Sequence, residues 1–499
     1  MYDVAIIGAG AVGVNTALFL SKTGFSVVLL DSADDILDGA PRASFINHGD
    51  GFEYFKRGHE ATGRYCIDGS IAKSLIYPLQ ALTTNVCSKE RPLRFFVSAD
   101  SIEAGLLRVD EFLDNAEAMH NHFSKRFASI RDSLHLTKHE TEELLLRQPR
   151  DFFRRLDPSE YPDVMGVAVG CAGSSFGINM PHYYAFLKSA IAREKVVVHF
   201  SEETATIENV GTCYQINTNR RSVKANFVLL TAGHHIPALA AKVQGTATVP
   251  PSPGTFYLNC IVFLKLPATS DNKKLDNVSR INFAIQQEHG AMYACIVPPD
   301  TSQDGVAAIY YPSLKGSQLE QYLFDPNNPT PPPNHWDEIA RDGLDPDSNN
   351  VKEIFRRACS IYPFLVDYAE ITGTLCRTVF NASTPDSDRG LDRRVRELPA
   401  SVSKITEDGR VSSWTSPKWT NAELVSLMAA DNICSRLKGQ GLPRMEGLGF
   451  GPSSLNVAEI SKQVNFLSLR IRLEDALSYA RAQGLPDRIV DAKLSQFLP

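Results

Sequence analysis

The first thirty-one residues constrain this chain more than any other feature. Tyr2-Asp3-Val4-Ala5-Ile6-Ile7 reads as a buried strand, Gly8-Ala9-Gly10-Ala11-Val12-Gly13 as a tight turn, Val14 to Thr23 as a helix, and Ser26 to Leu30 as a second strand ending at Asp31. That is a complete βαβ unit, and each glycine has its own task. Gly8 permits the sharp turn, Gly10 lets a pyrophosphate approach the backbone where Ala11 and Val12 open the helix, and Gly13 lets the helix lie close to the sheet. Asp31 falls about 20 residues beyond the turn, where it can accept ribose hydroxyls and repel a 2′-phosphate, which disfavours NADP. A bare glycine triplet is a weak signal, but its place between strand and helix makes dinucleotide binding the expectation. FAD and NAD share this fingerprint.

The next segments continue the sheet. Pro181 to Arg193 has helical periodicity, and Lys195 to Phe200 follows as a third parallel strand. Short alternating segments at Thr204 to Ile207 and Tyr214 to Asn217 lead to the apolar strand Phe227-Val228-Leu229-Leu230, which ends in Thr231-Ala232-Gly233. This order resembles the FAD-dependent oxidoreductases of the D-amino acid oxidase superfamily, in which a β-meander and a strand ending in a small-residue turn close the FAD domain. The resemblance favours FAD over NAD.

Three further segments extend it. Arg42-Ala43-Ser44-Phe45-Ile46-Asn47-His48-Gly49 is similar to the segment that passes close to the flavin in that superfamily. Gly63-Arg64-Tyr65-Cys66-Ile67-Asp68-Gly69-Ser70, followed by Tyr77-Pro78, is similar to a segment in one branch of it. Trp414-Thr415-Ser416-Pro417-Lys418-Trp419-Thr420 and the helix after it resemble the loop and helix that glycerol-3-phosphate dehydrogenases place against the isoalloxazine. The cofactor contacts thereby implied are Gly8, Gly10, Ala11, Val12, Gly13, Asp31 and Ser32, then Ser44, Asn47 and His48, Ala205 in the meander, Ala232 and Gly233, and Lys418, Trp419 and Thr420. The implied chemical residues are His48, as base, flavin hydrogen-bond partner or flavin attachment point; Lys418, polarising flavin or oxygen; and Arg377. Arg377 follows Thr372-Gly373-Thr374-Leu375, which resembles the strand delivering a substrate-binding guanidinium in the amino acid oxidases, where the fork grips a carboxylate bidentately. Tyr54 beside Phe52 and Phe55 reads better as packing than as pocket lining, and His234 and His235 as residues that start a helix.

Length and composition bound the rest. A chain of 499 residues predicts two or three domains, and 43% hydrophobic with 22% charged residues is the balance of a folded, soluble protein. Lys plus Arg total 51 against 57 for Asp plus Glu, a net charge of −6 that offers no general attraction to nucleic acid or anionic lipid. Nine scattered cysteines without a Cys-x-x-Cys pair predict reduced thiols and no metal centre. No apolar run approaches the ~20 residues of a bilayer span and no signal segment precedes the first strand, so the cytoplasm is the expected compartment. Gly173-Ser174-Ser175-Phe176-Gly177 spells a hydrolase nucleophile elbow in the wrong context, and His120 and His122, two apart, fall on different helix faces.

The expected fold is α/β: a Rossmann-like FAD-binding domain with a second, antiparallel-sheet α+β substrate domain. The FAD-binding domain is expected in three pieces, 1–95, 161–245 and 366–440, with a helical insertion at 96–160, the substrate domain at 246–365 and a C-terminal helical extension at 441–499. Within these, Asp100 to Asp132 is periodic as a helix, Thr137 and Glu140 have capping-box spacing, four strand-like runs lie between Tyr257 and Tyr311, and Val351 to Ile361 is helical. Gly447-Leu448-Gly449-Phe450-Gly451 lacks a preceding strand and reads as a turn, so no second dinucleotide site is evident and the substrate itself is the expected electron source. These expectations converge on an oxidase or dehydrogenase that takes a small-molecule substrate and passes electrons to oxygen or another acceptor. C–N oxidation of an amino acid or amine leads. Oxidation of a 2-hydroxy acid or phosphorylated polyol is the alternative, and a non-catalytic dinucleotide-binding sensor or scaffold is the alternative of another class.

Overall fold

The computed structural model describes residues 1–38, 60–76, 87–98, 103, 108–133, 136–145, 154–157, 167–178, 180–194, 196–249, 254–266, 281–286, 290–297, 305–311, 322–324, 335–363, 365–384, 396–397, 401–416 and 421–438. Among them the strands, numbered in chain order, form two sheets. The first holds β1 (Tyr2–Ile7), β2 (Val27–Leu30), β6 (Val197–His199), β7 (Thr204–Asn209), β8 (Tyr214–Thr218), β9 (Ser222–Leu230), β10 (Val243–Gln244), β18 (Ser401–Lys404) and β19 (Val411–Thr415). β1 runs parallel to β2 on one side and to β9 on the other, with Ile6 opposite both Leu29 and Leu229. Such a central strand is buried on both faces, which is why it reads as a continuous apolar run. Its alternate residues enter different cores: Val4, Ile6, Leu29 and Leu229 meet the helical layer, whereas Ala5, Ile7, Leu30 and Leu230 meet the β7–β8–β9 meander side.

The helical layer contains α1 (Ala11–Lys22), α2 (Glu60–Ile76), α3 (Val109–Ser133), α4 (Lys138–Leu145) and α5 (Met180–Arg193), with α6 (Ile236–Ala240) on the other side of the sheet. As expected from its periodicity, α5 is a crossover helix feeding β6, which pairs parallel with β2. In α3 the buried residues Phe112, Ala116, Met119, Phe123, Phe127 and Ile130 recur every three or four positions and face the same core as α1. The capping box before α4 is formed: the Thr137 N–H donates to Glu140 Oε2 at 2.7 Å and the Glu140 N–H to Thr137 Oγ1 at 3.2 Å.

The second sheet comprises β3 (Cys87–Ser98), β4 (Arg154–Leu156), β5 (Val167–Ile178), β11 (Gly254–Leu266), β12 (Ile281–Gln286), β13 (Gly290–Val297), β14 (Gly305–Tyr311), β15 (Tyr322–Phe324), β16 (Glu370–Thr384) and β17 (Arg396–Glu397). Its pairings are antiparallel except for β3 beside β12. The helices α7 (His335–Asp342), α8 (Asn349–Ile361) and α9 (Leu365–Tyr368) cover one face, where Leu258, Cys260, Val262, Cys376 and Phe380 pack with Trp336, Ile354 and Tyr362. The last described helix is α10 (Ala422–Lys438), packed on α1.

The sheet memberships cut across the segments expected from sequence. β3 and β5 lie in segments assigned by sequence to the nucleotide domain, yet they extend the second sheet, and β16 does so too, although residue 366 was the expected point of return. The return falls at β18, after residue 400. The partners of these strands lie far along the chain: β3 meets β12, and β11 meets β16 with Asn259 opposite Arg377. The Gly173 to Gly177 run lies within β5, a regular strand without the strand-to-helix turn that a nucleophile elbow needs. Residues 441–499, the Gly447 cluster, Asp100, the Phe52 to Phe55 aromatics and Tyr77-Pro78 lie outside the described residues. No helix among the described residues is long and apolar enough to cross a membrane.

Candidate functional site

The glycine turn closes at the C-terminal edge of the first sheet. Gly8 has φ +114°, a conformation that glycine adopts at no steric cost, and a Cβ there would stand 2.5 Å from the Ala232 nitrogen. A Cβ on Gly13 would stand 1.9 Å from the Gly8 carbonyl oxygen, so α1 can leave the turn this closely only with glycine. Thr231 locks the arrangement from β9, donating its hydroxyl to the Gly8 carbonyl at 2.8 Å. Gly10 differs from both. It is the extended N-cap of α1, with no side-chain cap, and a Cβ built on it meets nothing within 4 Å among the described residues. The turn is therefore open where a ligand would approach, and the first-turn N–H groups of Ala11, Val12 and Gly13 have no intrahelical acceptor. An open cradle of N–H donors at the positive end of a helix suits a diphosphate.

Asp31 stands beside this cradle. One of its oxygens accepts the Ala9 N–H and the other the Ala33 N–H at 2.8 Å. A carboxylate offers about four lone-pair positions, so the same oxygens still have room for ribose hydroxyls. The Leu37 N–H donates to the Ala9 carbonyl at 2.8 Å, while Tyr184 and Lys188 of α5 both bind Asp35, the lysine at 2.7 Å. The loop after β2 is thus fastened to the turn at one end and to the crossover helix at the other. Ser32 is exposed in this loop and Ala205 exposed on β7. Ala232 and Gly233 follow β9, and the 3₁₀ turn Gly233–His235 packs against β16 of the second sheet.

That contact brings β16, the strand that carries Arg377, to the turn after β9. On β16, Cys376 and Phe380 face the α7–α9 layer, so alternation puts Arg377 on the opposite face of the sheet, half-buried. Cys260 and Cys376 sit opposite each other across β11 and β16; their mutual hydrogen bond, with burial, pushes the Cys260 thiol up, away from the thiolate form a nucleophile needs. His234 keeps some surface, yet its imidazole lies deep in the molecule, and burial joined by the neighbouring His235 ring pushes its pKa down to about 3. It stays neutral at ordinary pH and is a weak base there. Burial lowers His120, whereas His122 Nε2 lies 2.9 Å from Asp68 Oδ1 on α2. No group of metal-ligating side chains is found among the described residues.

Of the residues expected from sequence, the structure therefore brings together Gly8, Gly10, Ala11, Val12, Gly13, Asp31, Ala232 and Gly233, and sets Arg377 on the strand that meets them. Ser44, Asn47, His48, Lys418, Trp419 and Thr420 lie outside the described residues. Sequence reading missed a fully buried polar set beneath the turn, Asn15, Lys73, Tyr183 and Glu423. Its signal was a lone lysine in the small and apolar run of α2 and a lone glutamate at the start of apolar α10, since charged side chains are almost never fully buried unless paired.

Comparison with known proteins agrees with this geometry. The family model DAO, described as FAD dependent oxidoreductase, matches residues 3–399. Among solved structures, L-proline dehydrogenase from P. horikoshii is 15% identical, with a TM-score of 0.55 over 88% of this chain and 94% of that one. Glycine oxidase from Geobacillus kaustophilus is 14% identical, TM-score 0.52, over 87% and 94%. L-alpha-glycerophosphate oxidase from Mycoplasma pneumoniae with FAD bound is 14% identical, TM-score 0.50, over 89% and 96%. At such identities the likeness is one of fold. No curated protein matches the chain.

Proposed function

The chain belongs to the DAO family of FAD-dependent oxidoreductases, and from that premise we propose that it oxidises the C–N bond of an amino acid or amine. The observation that carries this reading is Arg377, on the face of β16 opposite the α7–α9 layer and on the strand that packs against the turn following β9. A guanidinium there offers a planar fork to a substrate carboxylate and fixes which carbon is presented for oxidation. In this reading the second sheet is the substrate domain. The N–H groups of Ala11, Val12 and Gly13 hold the FAD diphosphate, and Asp31 holds the adenosine ribose. Bound FAD supplies the two-electron acceptor for the substrate C–H bond, with later transfer to oxygen or another acceptor. The amine must be presented neutral. An alcohol must in addition lose its hydroxyl proton to a base, for which His48 is the proposed candidate.

The test is anaerobic bleaching of the yellow flavin by separate pools of D- and L-amino acids, amines, 2-hydroxy acids and polyol phosphates. Bleaching by an amino acid or amine pool is expected; bleaching only by a hydroxy acid or polyol phosphate pool rejects C–N oxidation. For a carboxylate substrate, Arg377→Met lowers kcat/KM by about a hundredfold, mostly through KM. Arg377→Lys recovers only part of this, because a point charge does not replace the fork.

A further inference from the structure

Beneath the nucleotide turn, four polar side chains buried to 0% exposure join four helices. Lys73 Nζ of α2 lies 2.9 Å from Glu423 Oε2 in the first turn of α10. The other oxygen, Glu423 Oε1, accepts the Tyr183 hydroxyl of α5 at 2.8 Å. The Asn15 amide of α1 donates to that tyrosine oxygen at 3.1 Å and to the Ala11 carbonyl at 2.8 Å. A second tie runs alongside, with Ser426 Oγ 3.0 Å from the Val12 carbonyl and 2.7 Å from the Ala422 carbonyl. The start of α10 is keyed into α2 as well: the Asn421 amide lies 3.6 Å from Cys66 Sγ, and Gly69 leaves room that a Cβ would fill, 2.1 Å from Asn421 Oδ1.

A buried ion pair is a poor source of net stability, because removing two charges from water offsets most of their attraction and an apolar set of equal volume would serve as well. What this pair supplies is direction. Each oxygen of Glu423 is aimed at a different helix, and the line through Tyr183 and Asn15 ends on the carbonyl of Ala11, one of the residues whose N–H groups form the cradle. We propose that Glu423 is a positioning residue for FAD, held by Lys73 and Tyr183. It sets the first turn of α10 against the first turn of α1 and thereby the aim of the Ala11, Val12 and Gly13 N–H groups. The inference rests on the reading of that turn as the FAD diphosphate site.

The test measures, on the full-length apoprotein, the FAD dissociation constant by quenching of flavin fluorescence and the unfolding temperature by circular dichroism. Two variants leave no isolated buried charge: Tyr183→Phe, which removes one hydroxyl, and the double variant Lys73→Met/Glu423→Gln, which neutralises the pair together. Ile433→Val, a core change in α10 outside the network, controls for loss of stability alone. Both network variants are expected to bind FAD about tenfold more weakly, whereas Ile433→Val binds as the parent does at comparable stability. Unchanged affinity in both network variants, or affinity that merely follows the unfolding temperature as in the control, overturns the positioning role and leaves the FAD site standing. A parent chain that takes up no FAD overturns the site reading and the inference with it.

Discussion

The three glycines of the first turn are separable by what surrounds them. Gly13→Ala drives a methyl into the Gly8 carbonyl and is expected to destabilise even the apoprotein by about 1–3 kcal/mol or more. Gly10→Ala meets no atom of the described residues, so the apoprotein should unfold at the parent temperature while FAD affinity falls at least about tenfold, read by fluorescence quenching. His234 makes a second prediction. Its pKa lies near 3 when folded against about 6.5 when free, so the unfolded chain binds the extra proton between those values. Its contribution to stability is retained above about pH 6.5 and is lost as pH falls toward 3, at up to about 1.4 kcal/mol per pH unit. Urea unfolding of His234→Gln across that range should show a shallower acid limb than the parent. The residues legible in sequence were those whose task is local: Gly8, Gly10, Gly13 and Asp31 lie within one βαβ unit. Lys73 and Glu423 are 350 positions apart, and no spacing rule joins them.

Among the elements, those with local causes were legible too. The Thr137/Glu140 box starts α4 as its spacing predicts, satisfying N–H groups that the first turn of a helix leaves without an intrahelical acceptor. Thr137→Ala should cost about 1 kcal/mol and speed amide hydrogen exchange in the first turn of α4, with α3 unaffected. The βαβ spacing of β1, α1 and β2 and the periodicity of α5 likewise foretold the parallel run of β1, β2 and β6. Sheet membership was another matter. β3 and β5 carry no mark that distinguishes the second sheet from the first, because a strand's own residues specify its faces but not its neighbour. The crossing of β16 into the second sheet is what moves Arg377 from the expected nucleotide domain to the proposed substrate face.

At the scale of the whole molecule, the 3₁₀ turn after β9 touches β16, so a ligand at the first sheet is expected to stabilise the second. FAD at a hundredfold excess over its dissociation constant adds about 2.7 kcal/mol. Trp336 lies in the core of the second sheet and Trp414 on β19 of the first. Single-tryptophan variants that retain one or the other should show both transitions moving upward together on addition of FAD; a Trp336 signal indifferent to FAD would show two independent units. The interleaving has a further consequence during synthesis. β2 follows β1 within thirty residues, but the other side of β1 stays open until β9, and β19 arrives only after residue 410. In between, the nascent chain lays down β3, paired with β5 but with no β12 on its other side, and β11 with no β16. Each half-built sheet leaves the ribosome with an exposed, apolar edge. Neither can be excised as a contiguous gene segment and fold alone, and a message truncated anywhere before residue 401 encodes a chain whose first sheet lacks its last strands.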